Sequence, residues 1–408
     1  AAGALAALGP GAEAPLAAEL REDLARHSRR AALAPRAAGP VCEEAARSAF
    51  CTASEKRPWL RYEPDALLPS PFDAFLLGGG CPRMGWQPAG ERGGPGPEPS
   101  LCYVVGCGRS GTTALAEALS RYGDTVFLNE PRQLWIPLLP AMDVWSVAAP
   151  VRLGRLAFTP AEATTEAPEA AGGSVATLAA EAYRCLADLA GAGLEVDGGR
   201  NRRVLVVEKF PEHAFRLPFL EAVCREGLGP DRCVFVHLLR DGVGVARSIA
   251  AFESPAAWYG VKGEWKWRRL SELAGLDEKG GPSTLGLGQC FLKLLRSASS
   301  EQSRFARGLV EWAASVEAAR RGARELAGEA RWLEVRYEDL VASPAATLQA
   351  LEAGLGLEPS EEARAQAAAT LVAHSPRPLT PAEEEVLRAV RGSRLEALLA
   401  EGGRALPA

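Results

Sequence analysis

The chain has 408 residues, enough for one large domain or two ordinary ones, and its 47% hydrophobic and 24% charged residues give the balance of a globular protein. A net charge of −5 argues against nucleic acid or an anionic membrane as partner, so any phosphate site has to be a local cluster of cations. The nine cysteines contain no C-x-x-C pair, which speaks against zinc, and no run of 18 apolar residues reads as a membrane span.

Residues 1–100 come first and read as an N-terminal stem or irregular segment, partly disordered. Positions 1–40 are Ala-rich with scattered Pro and Gly, so weak order is expected there. Residues 41–77 set Trp59, Tyr62, Phe72 and Phe75 among prolines, and 78–100 form a Gly/Pro-rich linker. Cys42, Cys51 and Cys81 lie in this part and could be bridged in an oxidising compartment.

From Leu101 to about 402 the pattern changes to alternating strands and helices. Strands are predicted at Cys102–Val105, Thr125–Leu128, Arg203–Val207, Val234–Leu239 and Trp332–Val335, each short, apolar and rich in β-branched or aromatic residues. Helices are predicted over 112–122, 174–190, 214–226, 242–252, 303–328, 344–355, 360–373 and 381–400. Residues 148–173 are Ala/Thr/Pro/Gly-rich and read as an exposed insertion. The alternation implies an α/β fold with a P-loop-like, mostly parallel sheet flanked by helices on both faces. Cys102 and Cys107 flank the first strand and are expected to pack as small apolar residues.

The first strand runs into Gly106-Cys107-Gly108-Arg109-Ser110-Gly111-Thr112-Thr113, and a helix follows. A glycine-rich turn at a helix N-terminus offers backbone N–H groups and the positive end of the helix dipole to an anion. The glycines fit the P-loop pattern G-x-x-x-x-G-K-[ST], but Thr112 stands where its lysine belongs and the cation is Arg109 inside the loop. Such a loop suits a phosphorylated ligand other than an ordinary nucleoside triphosphate.

Ligands of parallel α/β sheets bind at the carboxyl ends of the strands. Here those ends carry Asn129-Glu130-Pro131, Glu208-Lys209-Phe210-Pro211 and Arg240-Asp241, with Ser248 on the next helix. Each alone reads more readily as a solvated rim or, for Asp241, a helix cap. Their order behind a modified phosphate loop is the sharper signal.

With these residues the chain resembles the sulfotransferases that use PAPS, 3′-phosphoadenosine 5′-phosphosulfate, over roughly residues 101–400. The family's 5′-phosphosulfate loop commonly reads G-x-x-R-S-G-T-T, matching 106–113. Its 3′-phosphate motif is an apolar strand, R-D and a later Ser, matching Val234–Leu239, Arg240, Asp241 and Ser248. Val335-Arg336-Tyr337-Glu338-Asp339-Leu340 is similar to the family's R-Y-E-D-L segment. The resemblance implies a PAPS-binding set of Gly108, Arg109, Ser110, Gly111, Thr112, Thr113, Arg240 and Ser248, with no metal required. Cytosolic members resemble K-x-H-L-P after the third strand, whereas this chain has no His there. Glu130-Pro131 instead matches the Golgi carbohydrate and bacterial-type members.

The resemblance therefore implies Glu130 as general base, with Lys209 and Arg109 at the sulfuryl group. The expected acceptor is a hydroxyl, plausibly on a carbohydrate. The expected location is the Golgi lumen or membrane, with the cytoplasm as alternative and an anchor ahead of residue 1 as an option. His213 is a second candidate base, although a His opening a helix is more often a cap or surface residue. His237 is expected in the core, and Glu208 is expected to face away from Lys209. Trp258, Tyr259, Trp265 and Trp267 could form a lid, an acceptor wall or plain packing. His374-Ser375-Pro376-Arg377 could touch the nucleotide or form an interhelix turn. Two further readings share the loop: a P-loop kinase, and a non-catalytic PAPS- or glycan-binding module.

Overall fold

The computed structural model describes residues 99–123, 125–144, 154–167, 173–191, 204–252, 258–259, 264–276, 283–296, 301–326, 331–372 and 377–402. The expected N-terminal stem, with Cys42, Cys51 and Cys81, lies outside the described residues, as does His374.

Five strands form one parallel sheet. In chain order they are β1 (Ser100–Val105), β2 (Thr125–Asn129), β3 (Leu205–Lys209), β4 (Cys233–Leu239) and β5 (Arg331–Arg336), and their spatial order is β2-β3-β1-β4-β5. The helices are α1 (Thr112–Leu119), α2 (Arg132–Leu138), α3 (Val175–Gly191), α4 (Leu217–Leu228), α5 (Gly242–Ala250), α6 (Trp265–Leu273), α7 (Gln289–Arg296), α8 (Glu301–Glu325), α9 (Tyr337–Ala342), α10 (Pro344–Leu355), α11 (Glu361–Ala368), α12 (Pro381–Ala389) and α13 (Arg394–Glu401).

Alternation along β1 shows how both faces are used. Leu101, Tyr103 and Val105 point into a core shared with α2, α3 and α4, while Cys102 and Val104 point into one built from α1, α9, α10 and α11. A third cluster joins Leu239 to α5, α7, α8, α12 and α13. Strands β1, β3 and β4 are buried along their whole length, which is why they read as continuous apolar runs. Cys102 and Cys107 are buried as expected, and burial pushes the Cys102 thiol up to about 12.

Four expectations change. Strand β3 starts and ends later than predicted, because Glu208 and Lys209 pair with Tyr103 and Val104 of β1 and with Leu128 and Asn129 of β2, and both are buried rather than exposed at the rim. The predicted helix at 381–400 is two helices, with Ser393 capping α13 by accepting from the Glu396 N–H. The sequence pattern does not predict helices α2, α6, α7 and α9; they are short, and the buried apolar residues are Leu270 alone on α6 and Phe291 with Leu295 on α7. The segment read as an exposed insertion buries Leu156, Phe158 and Ala163, and the 3₁₀ turn Pro160–Thr164 packs on α4. A Cys224–Cys233 disulfide links α4 to the start of β4.

Candidate active site

The loop after β1 meets the side chains at the carboxyl ends of its two neighbours. Gly106 has φ 149°, and a Cβ there would stand 2.7 Å from the Leu238 carbonyl oxygen, so β4 leaves room for glycine only. Gly111 precedes α1 at φ 95°, where a Cβ would stand 2.6 Å from the Tyr337 ring. No side chain caps α1, so its first N–H groups carry no capping oxygen. That is the electrostatic setting in which an anion binds. Ser110 and Thr112 are buried, whereas Arg109 is exposed and holds the left-handed conformation at φ 72°.

On the β3 side of the loop, Lys209 Nζ donates to Glu130 Oε1 at 2.6 Å. The lysine side chain is 4% exposed and the glutamate 34%, so the carboxylate forms the solvent-facing half of the pair. The backbone holds the two together as well, since Glu130 N–H donates to the Lys209 carbonyl at 2.7 Å. Glu130 has φ 49°, a conformation uncommon outside glycine that the neighbouring strands must sustain.

On the β4 side, Arg240 and Ser248 take up the other expected positions. Arg240 Nη1 donates to the Arg109 carbonyl at 3.1 Å, and its guanidinium lies 4.3 Å above the Tyr337 ring. Asp241 caps α5 through the N–H groups of Val243 and Gly244, and its own N–H donates to Glu338. The R-Y-E-D-L segment thus contacts the site twice, through Tyr337 and Glu338. Arg109 Nε donates to Ser248 Oγ at 3.1 Å.

Glu208 faces away from Lys209, as period-2 alternation requires. It accepts from Trp135 Nε1 at 2.5 Å and Tyr183 OH at 2.7 Å, and His213 Nε2 lies 2.6 Å away. A carboxylate only accepts, so the His213 proton sits on Nε2. Burial pushes the His213 pKa below its usual value, partly offset by Glu208. His213 is fully buried and turned onto Glu208, whereas Glu130 is partly exposed and turned onto Lys209. His237 is in the core, with Nδ1 2.9 Å from Glu334 Oε2.

The aromatic segment divides. The Trp258 indole lies directly on the loop, where a Cβ on Gly108 would come within 2.7 Å of it. Its Nε1 donates to Glu311 at 2.7 Å, and Lys266 sits 4.6 Å over its ring. Lys266 pairs with Glu311 at 2.8 Å and Glu212 at 3.2 Å. Burial pushes the Lys266 pKa down, but those two carboxylates outweigh it and hold the ammonium above its usual range. Tyr259 and Trp267 pack edge to face, and Trp265 lies under Arg268. Burial pushes the Cys107 thiol well up, so this loop cysteine serves as packing. Glu311 carried no sequence signal, being one acid among several on a long helix. Arg247, next to Ser248, donates to the carbonyls of Arg377 and Pro378 and pairs with Glu383, so Arg377 meets α5 through its backbone.

Residues 102–272 and 288–362 match the model of the sulfotransferase family, more than half of the chain. The chain belongs to the sulfotransferase family. Among solved structures it is similar to the sulfotransferase domain from the curacin biosynthetic pathway, at 17% identity, 76% of this chain, 99% of that chain and a TM-score of 0.38. It is also similar to a sulfotransferase from Alicyclobacillus acidocaldarius, at 17% identity, 76% of this chain, 97% of that chain and a TM-score of 0.36. A third is the sulfotransferase domain of the Synechococcus PCC 7002 olefin synthase, at 16% identity, 76% of this chain, 97% of that chain and a TM-score of 0.37. No curated protein matches this sulfotransferase chain.

Proposed function

We propose that this sulfotransferase moves a sulfuryl group from PAPS to an acceptor hydroxyl. The observation that carries the reading is the split around one loop, with Glu130–Lys209 on one side of β1 and Arg240 with Ser248 on the other. A donor anionic at both ends needs two such sites. The backbone of Gly108–Thr113, with the hydroxyls of Ser110, Thr112 and Thr113, is suited to the 5′ end, and Arg240 with Ser248 to the 3′-phosphate.

In this reading Glu130 removes the proton from the acceptor hydroxyl. The acceptor oxygen bonds to sulfur while the bond from sulfur to the 5′-phosphate oxygen breaks, leaving adenosine 3′,5′-bisphosphate and a sulfate ester. Proton transfer neutralises Glu130 and frees Lys209 from its ion pair. The ammonium can then donate to the departing oxygen as negative charge builds there. PAPS supplies the activated sulfuryl group; the protein supplies position, base and cation.

The acceptor in this proposal is a carbohydrate, the acceptor class of one of the two branches that the Glu130-Pro131 pair matches. The Cys224–Cys233 disulfide supports an oxidising compartment such as the Golgi lumen, and both thiols reacting in unreduced protein would count against it.

Incubation with PAPS and a glycan pool tests the whole reading. Release of the bisphosphate together with a sulfated product is expected. Binding without turnover would favour a PAPS- or glycan-binding module, and phosphate transfer from ATP a kinase.

A further inference from the structure

The two sides of the phosphate loop are charged differently. Lys209 is neutralised by Glu130 at 2.6 Å. Across β1, Arg109 and Arg240 are linked to one another and to Ser248. Arg109 Nε donates to Ser248 Oγ and Arg240 Nη1 donates to the Arg109 carbonyl, both at 3.1 Å. Among the described residues neither arginine pairs with a carboxylate. Arg109 on the Ser248 hydroxyl and Arg240 on the Arg109 carbonyl, neither paired with a carboxylate, make an incomplete ion cluster. Its natural complement is a dianion, and a phosphate monoester carries nearly two charges near neutral pH.

The geometry also says which arginine goes where. At φ 72° the Arg109 backbone is left-handed, and its side chain reaches α5, on the opposite side of β1 from Lys209. Arg240 is held from below by the Tyr337 ring at 4.3 Å, and that ring packs against Gly111 at the start of α1. The loop that surrounds the 5′ end is therefore tied through its own arginine to the site at the other end.

We infer that Arg109 reads the 3′-phosphate of the donor. With Arg240 and Ser248 it forms a two-cation site that selects a 3′-phosphorylated nucleotide over its 3′-hydroxyl counterpart. The sulfuryl end is left to Lys209 and the loop backbone. This rests on the PAPS reading above and moves Arg109 from the sulfuryl end, where the sequence pattern puts it.

The test compares adenosine 3′,5′-bisphosphate with adenosine 5′-monophosphate as probes, by calorimetry on the full chain. The unsubstituted protein should prefer the bisphosphate. Arg109→Ala should weaken bisphosphate binding about tenfold or more and leave the monophosphate nearly unchanged, as expected for one lost charged hydrogen-bonding group. Arg109→Gly suits the left-handed backbone better than Ala, so an equal loss there assigns the effect to the side chain. If Arg109→Ala weakens both nucleotides equally, or slows turnover at saturating PAPS with the preference intact, Arg109 works at the 5′ end and the inference fails while the donor reading stands. If the unsubstituted protein shows no preference for the bisphosphate, the donor reading fails and this inference with it.

Discussion

Glu130→Gln separates chemistry from binding most cleanly, because it keeps the side-chain shape and removes only the charge. Lys209 faces Glu130 at 2.6 Å with 4% of its side chain exposed. At an effective dielectric of about 20, unit charges at that distance attract by about 6 kcal/mol. Desolvation of the lysine offsets much of this, and water reaches Glu130, which is 34% exposed. Screening leaves a net stability term of about 1 kcal/mol, readable as a small fall in the urea midpoint. The effect on turnover should be far larger. Loss of a general base slows a reaction by about 10²–10⁴, or about 3–5 kcal/mol of barrier. Affinity for adenosine 3′,5′-bisphosphate should stay within about twofold, because Arg240 and Ser248 lie across β1 from the change. The assay is release of bisphosphate from PAPS at saturating acceptor, run beside calorimetry and a urea titration. Lys209→Met combined with Glu130→Gln should cost less than the sum of the two, since they share one ion pair. A Glu130→Gln enzyme turning over within about tenfold of the parent would remove Glu130 from the base role.

Three further outcomes follow from the same contacts. Glu208→Ala orphans the buried donors of Trp135, Tyr183 and His213 and should cost about 3–5 kcal/mol in urea unfolding; a loss below about 1 kcal/mol would show that the network does not hold this end of the sheet. Tyr337→Leu removes the ring under Arg240 and against Gly111, and should weaken bisphosphate binding by about 0.5–1.5 kcal/mol; unchanged affinity would refute a positioning role. The His237 hydrogen bond, with Arg320 and against the effect of burial, lowers the Glu334 pKa from 4.5 to about 2. A depressed folded-state pKa stabilises above the unfolded value and ceases to as pH falls through the folded one. The gap in urea midpoint between the parent and Glu334→Gln should therefore be full above pH 4.5 and close as pH approaches 2; a gap independent of pH would sink this account.

The amino-acid sequence alone determined the class of fold, the loop at 106–113 and the order of charged residues at the strand ends. Buried parallel strands are short apolar runs, and a glycine-rich turn before a helix leaves a local mark. Those patterns led to Glu130, Lys209, Arg240 and Ser248, all of which lie around the loop. Sequence could not show which side of β1 each cation takes, because the strand order β2-β3-β1-β4-β5 is set by how crossover helices pack. Glu130 and Lys209 are 79 residues apart, and Arg109 and Ser248 are 139 apart. No local periodicity relates such pairs. Glu208 shows the same limit from the other direction: its neighbours read as a strand rim, and only tertiary packing surrounds it with the donors that let a carboxylate be buried. Residue type and spacing thus specify which groups reach the carboxyl edge of the sheet. The three-dimensional packing decides which of them neutralise one another and which remain charged for a ligand.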